Sequence, residues 1–143
     1  MSIHEKTTDE LLNEIKNGTL ERFIEQNEHE FTEITLHEYI CRIIKDNGLK
    51  KSRVVARSGL NRIYAYQIFA GKRMPSRDKL MVIGFGLQLD HEGMDKLLRQ
   101  AGYSPLYARS KRDSIIIHAI VHSKSIFAVN EMLFDNGFEI LTS

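Results

Sequence analysis

The sequence predicts an all-α fold centred on a helix-turn-helix, and three observations predict it. Apolar residues recur at three- and four-residue intervals along most of the 143 positions, the spacing that puts them on one side of a helix. Ser, Thr, Asp or Asn precedes nearly every such run and Gly follows it, which is how helices start and stop. Residues 50–77 carry eight Lys or Arg and no acid, on what reads as two short helices joined at Ser58-Gly59-Leu60.

Taken in order, residues 1–34 form an acidic helical arm. Thr7 and Glu10 make a capping box, Leu11, Leu12 and Ile15 form an apolar stripe, and Gly18 ends the helix. A second short helix covers Leu20 to Gln26. Both are too short to stand alone, so they dock on something. Either the arm packs on its own domain, or its acidity meets a partner or masks the basic window.

Residues 35–102 read as five helices. Thr35 with Glu38 opens the first, whose Leu36, Tyr39, Ile40, Ile43 and Ile44 face a core before Gly48. The second runs from about Lys51 or Ser52 to Ser58, and Gly59 supplies the tight turn. Asn61 caps the third, which covers roughly Arg62 to Ala70 and closes at Gly71. Pro75-Ser76 opens the fourth. Its Gly84 and Gly86 weaken a helix by roughly 1 kcal/mol each relative to Ala, so close approach of a neighbour is the expected compensation. Gly84-Phe85-Gly86 lacks the preceding strand and further glycine of a phosphate loop. Asp90 caps the fifth helix, and Gly102 closes it.

Residues 103–143 form a C-terminal extension. Tyr103 to Arg109 is expected to be an ordered connector, because two tyrosines and a leucine favour burial. Ser110 and Asp113 cap an apolar helix through Ile115, Ile116, Ile117, Ala119, Ile120 and Val121; Ser125 opens another that ends before Gly137. This pair completes the core, forms a dimer interface, or does both.

The basic window carries the functional signal. The formal charge is +1 overall, but residues 1–49 hold −6, residues 50–77 hold +8, and residues 78–143 hold −1. Val54, Val55, Leu60, Ala65, Ile68 and Phe69 can face inward while the cations face out, so charge is presented to a partner. On the third helix, Ala65, Ile68 and Phe69 share one side, and Ile63, Tyr66, Gln67 and Ala70 share the other. A helix entering a DNA major groove does so by its N-terminal residues, which places Arg62, Ile63 and Gln67 nearest base edges. Arg bonds guanine, Gln bonds adenine, and Ile touches a thymine methyl.

Val54-Val55-x-x-x-Gly59-Leu60-Asn61-Arg62, followed by Ala65, Ile68 and Gly71-Lys72-Arg73-x-Pro75-Ser76, resembles the XRE family of lambda-repressor-like and Cro-like helix-turn-helix proteins. The resemblance spans about residues 35–102. It implies a five-helix lambda-repressor-like domain, commonly dimeric, that reads double-stranded DNA half-sites as a transcriptional regulator. It implies base-reading slots at Arg62, Ile63 and Gln67, and phosphate-contacting slots at Lys51, Asn61, Lys72 and Arg73; Tyr66 is a further phosphate donor. The acidic start and Arg109-Ser110-x-Arg112-Asp113-x-Ile115-Ile116-Ile117 resemble a longer Gram-positive bacterial subgroup. Three departures stand out: Val55 replaces a small alanine, Phe69 replaces an acidic residue, and Tyr64 and Tyr66 add bulk. That bulk motivates a second reading, a protein-interaction adaptor that keeps the fold and binds through its tyrosines, arm or C-terminal helices.

Other chemistry finds little support. The single Cys41 excludes an internal disulfide and has no visible catalytic partner. His118 and His122 stand i, i+4 without a third ligand, while His4, His29, His37 and His91 lack ligand spacing. No nucleophile elbow, P-loop or kinase signature occurs. The expectation is therefore a cytoplasmic non-enzyme without cofactor, metal or membrane span, and without a signal peptide at its start.

Overall fold

The structure, a computed structural model, describes residues 6–27 and 34–142. His4, His29 and the first residues of the supposed leaderless start lie outside the described residues. Among the described residues every regular element is a helix, nine in number. The chain divides into two compact units, Met1–Ile34 and Thr35–Ser143.

The first unit holds α1 (Thr8–Asn17) and α2 (Leu20–Gln26). Thr7 and Glu10 form the reciprocal capping box, and Thr19 caps α2. Asn27 at the end of α2 ties it to α1, its Nδ2 donating to Glu14 Oε2 at 2.7 Å, and Lys6 Nζ lies 2.6 Å from Glu14 Oε1. The Lys6 hydrogen bond holds the Glu14 carboxyl below the usual carboxylate range. Two helices of this length cannot bury all their apolar residues between them, and Leu12, Ile15, Leu20 and Ile24 are exposed.

The second unit holds α3 (Leu36–Asp46), α4 (Lys51–Ser58), α5 (Arg62–Phe69), α6 (Arg77–Gly86), α7 (His91–Gln100), α8 (Lys111–Val121) and α9 (Ile126–Asp135). Its apolar core is continuous, running from Ile40 on α3 through Leu80, Val82 and Ile83 on α6 to Ile116 on α8 and Val129 and Leu133 on α9. Residues 103–142 thus complete the core that residues 35–102 begin. At the centre lies α6, which packs on α4, α7 and α9. A Cβ on Gly86 would fall 2.6 Å from the Val54 carbonyl oxygen, and one on Gly84 would meet the Met94 sulfur. Gly86 thus lets backbone approach backbone at the α4–α6 crossing, and Gly84 makes room for the Met94 side chain of α7.

Two arginine–carboxylate forks fasten α8 to α6. Arg77 reaches both oxygens of Asp113 at 3.2 and 3.0 Å, and Arg112 reaches both of Asp78 at 2.9 Å. The Asp78 hydrogen bonds raise the basicity of Arg112 above that of an ordinary guanidinium. The connector is held by Tyr103 Oη donating to Pro75 O at 2.6 Å, by Leu106 N–H donating to Asp95, and by burial of Leu106. Tyr107 departs from expectation: its backbone N–H binds Asp113, but its ring projects into solvent. Past α9, Leu141 is buried and its N–H donates to Asn130 at 2.9 Å.

Among the described residues no helix is long and apolar enough to cross a membrane.

Candidate nucleic-acid interface

The α4–α5 corner is built by three local devices. Gly59 closes α4 at φ +72, a left-handed conformation that costs a branched side chain dearly. Ser58 Oγ, buried under the turn, donates to Val55 O at 2.7 Å and accepts from Leu60 N–H at 3.2 Å. Asn61 then caps α5, its Oδ1 accepting from Tyr64 N–H at 3.1 Å. That use of Oδ1 leaves the Asn61 amide N–H groups as the part of the side chain able to donate outward.

At its other end α5 closes in a Schellman arrangement, with Gly71 N–H donating to Ile68 O at 3.1 Å and Lys72 N–H to Gln67 O at 2.9 Å. Gly71 sits at φ +76, and a Cβ there would lie 2.5 Å from His37 Nδ1. The geometry throws Lys72 and Arg73 outward immediately beyond the helix.

Between these ends, Ala65, Ile68 and Phe69 are buried and the opposite side is open. Arg62, Ile63, Tyr66, Gln67, Ala70 and Lys72 surround one shallow, open recess of about 470 Å³. Ile63 is 70% exposed, so its side chain stands clear for a partner. The Arg62 guanidinium lies over the Tyr66 ring at 5.9 Å, and Tyr66 meets Phe69 edge-on at 5.8 Å. On another flank Arg73 lies over the Tyr64 ring at 5.7 Å. Such contacts limit how far each cation wanders while leaving its charge in place.

Five of the eight site residues read from sequence therefore share one surface: Arg62, Ile63, Tyr66, Gln67 and Lys72. Asn61 stands at the N-cap beside them, and Arg73 follows Lys72 but rests on Tyr64. Lys51 is exposed at the start of α4. There the cap residue is Lys50, which makes no side-chain cap bond, and the exposed side chains of Lys50, Lys51 and Arg53 stand together at the N-terminus of α4.

The expectation that all eight cations of residues 50–77 face a partner is corrected at two positions. Arg57 turns inward, its Nε donating to Gly86 O at 3.0 Å. Arg77 is committed to Asp113 and to the carbonyls of Ser104 and Pro105. Neither could be separated from its neighbours by sequence, because the partners lie 27 to 36 residues away.

Other candidate groups are structural or solitary. Cys41 Sγ donates to Phe69 O at 3.5 Å. The His118 and His122 rings sit 4.3 Å apart and exposed, and no group of three or more His, Cys, Asp or Glu is placed to hold a metal among the described residues. No family model, no curated protein and no solved structure matches the chain.

Proposed function

We propose that the chain is a non-enzymatic transcriptional regulator of the XRE type, with a lambda-repressor-like helix-turn-helix at α4–α5, acting in the cytoplasm on double-stranded DNA. One observation carries this reading: the outward side of α5 gathers Arg62, Ile63, Gln67 and Lys72 around a single accessible recess. In this account α5 enters the major groove, Arg62 and Gln67 bond base edges, and Ile63 contacts a thymine methyl. Lys51 and the open N-terminus of α4 bind phosphate, as do Asn61 through its amide, Tyr66 through its hydroxyl, and Lys72 and Arg73.

A homodimer suits this role, because two-fold symmetric operators are read by two copies. Phe134 on α9 is 73% exposed and supplies an apolar point for pairing.

The test is the salt dependence of binding to a generic duplex. Each neutralised phosphate contributes about −0.9 to the slope of log K against log salt. Lys72→Ala should flatten the slope by about that amount, while Arg77→Ala should leave it unchanged. An equal effect of both changes contradicts the assignment.

A second reading has a specific observation in its favour. The recess on α5 is lined predominantly by apolar atoms, with Ile63 and Tyr66 among its lining residues. An adaptor would use that surface to seat an apolar side chain of another protein. Enrichment of a base sequence by the purified chain separates the readings.

A further inference from the structure

A second recess, of about 800 Å³, lies on the second unit where α4, the α6–α7 junction and the α8–α9 junction meet. That volume falls within the range of small-molecule sites. Phe85, Leu89, Ile126 and Phe127 give it apolar walls, while Arg57 and Lys124 supply positive charge. Arg57 is the informative group. Its Nε is spent on Gly86 O, but its Nη2 is buried and has no hydrogen-bond partner among the described residues. A buried guanidinium edge without an acceptor is costly unless something anionic completes it.

Backbone conformation gives an independent indication. Seven described residues have positive φ, and five of them are glycines. The two that are not, Gln88 at φ 56 and Ser123 at φ 54, both line this recess. Both sit at left-handed helix ends, where glycine would carry less strain, and their polar side chains border the recess.

We infer that this recess binds a small amphipathic carboxylate, its head on Arg57 and Lys124 and its apolar part against Phe85, Leu89, Ile126 and Phe127. Two acids also line the recess, but both are engaged: Asp90 accepts from Gly93 N–H at 2.8 Å as the cap of α7, and Glu92 pairs with Lys96 at 3.5 Å. Asp90 and Glu92 keep their charges, so recognition of the carboxylate rests on the placement of Arg57 and Lys124, with Gln88 and Ser123 as polar neighbours. The site is distinct from the α5 recess and does not depend on the DNA reading. It backs onto the α4–α5 corner, since a Cβ on Gly59 would meet the Phe127 ring at 3.5 Å.

The experiment is calorimetric titration of the full chain with octanoate and with its uncharged counterpart octanamide, on wild type, Arg57→Met and Ser123→Gly. Octanoate should bind one per chain and raise Tm, and octanamide should bind at least about tenfold more weakly. Arg57→Met should lose the preference for octanoate. Ser123→Gly guards against a folding artefact: relief of the left-handed strain should keep or raise Tm while octanoate affinity falls. Equal affinity for the two probes, no saturable octanoate signal, or wild-type octanoate affinity in both variants overturns the inference.

Discussion

Arg77 on α6 and Asp113 on α8 meet as a two-pronged ion pair, Nη1 to Oδ1 at 3.2 Å and Nη2 to Oδ2 at 3.0 Å. Asp113 also accepts the Tyr107 N–H at 3.0 Å, and Arg77 also donates to the carbonyls of Ser104 and Pro105. One basic residue of the cationic window is thereby turned from a surface charge into the bolt that fixes the C-terminal helices.

Removing either partner strands the other with its charge partly buried. The Asp113 side chain is 10% exposed and that of Arg77 is 25% exposed, so solvent softens the loss. Asp113→Ala should cost about 2–3 kcal/mol, less than a fully buried pair, as read by urea denaturation. Because the acceptor is shared with the Tyr107 amide, amide exchange at Tyr107 should quicken as well.

Gly71 and Gly48 provide a matched pair. Both have positive φ, +76 and +63, but a Cβ on Gly71 would strike His37 whereas one on Gly48 finds open space. Gly48→Ala should lose about 1–2 kcal/mol from strain alone. Gly71→Ala should lose more, and His37→Ala should recover part of that excess in a double-mutant cycle.

Gly86 and Gly84 should likewise differ. A methyl on Gly86 meets the Val54 carbonyl oxygen, which is fixed backbone, whereas one on Gly84 meets the end of the flexible Met94 side chain. Gly86→Ala should cost roughly 1–3 kcal/mol by forcing α4 from α6, with Gly84→Ala the milder change in the same denaturation assay.

Much of the secondary structure was legible because its signals are local. Thr7, Thr35, Asn61, Ser76, Asp90, Ser110 and Ser125 each cap a helix by accepting a hydrogen bond from the N–H three positions on, so the cap and its donor lie in one short stretch. The division of α5 into a buried Ala65, Ile68, Phe69 side and an open Ile63, Ala70 side follows from the helical repeat alone. What escaped depends on distant partners. The inward turn of Arg57 and Arg77, the burial of Leu141 and the exposure of the Tyr107 ring are decided by elements far along the chain. The second recess is still less visible, being assembled from three junctions that only folding brings together.

Acid should loosen the first unit in a defined direction. The Glu14 carboxyl is held below its ordinary range by Lys6 first and Asn27 after it, so its folded pKa is depressed. The stabilisation is present above the unfolded pKa and is lost as pH falls through the lower folded value. Carboxyl-resolved NMR should show Glu14 protonating below the usual glutamate range, and Lys6→Met should move it back toward that range.

Pairing of two copies through α9 should respond to charge at its exposed ring. Phe134 is exposed and not part of the buried core, so Phe134→Glu should leave the unfolding free energy within about 0.5 kcal/mol of wild type while shifting sedimentation from dimer to monomer. An unchanged dimer would place the pairing surface elsewhere.

The central claim, that the outer side of α5 reads DNA, is tested most directly by selecting duplexes from a random pool with purified wild type and with Arg62→Ala at one stated salt concentration. The account predicts that wild type enriches a defined motif, and that Arg62→Ala enriches the same motif with discrimination relaxed at one base pair per half-site. Failure of wild type to enrich any sequence, or an Arg62→Ala motif identical at every position, would contradict it.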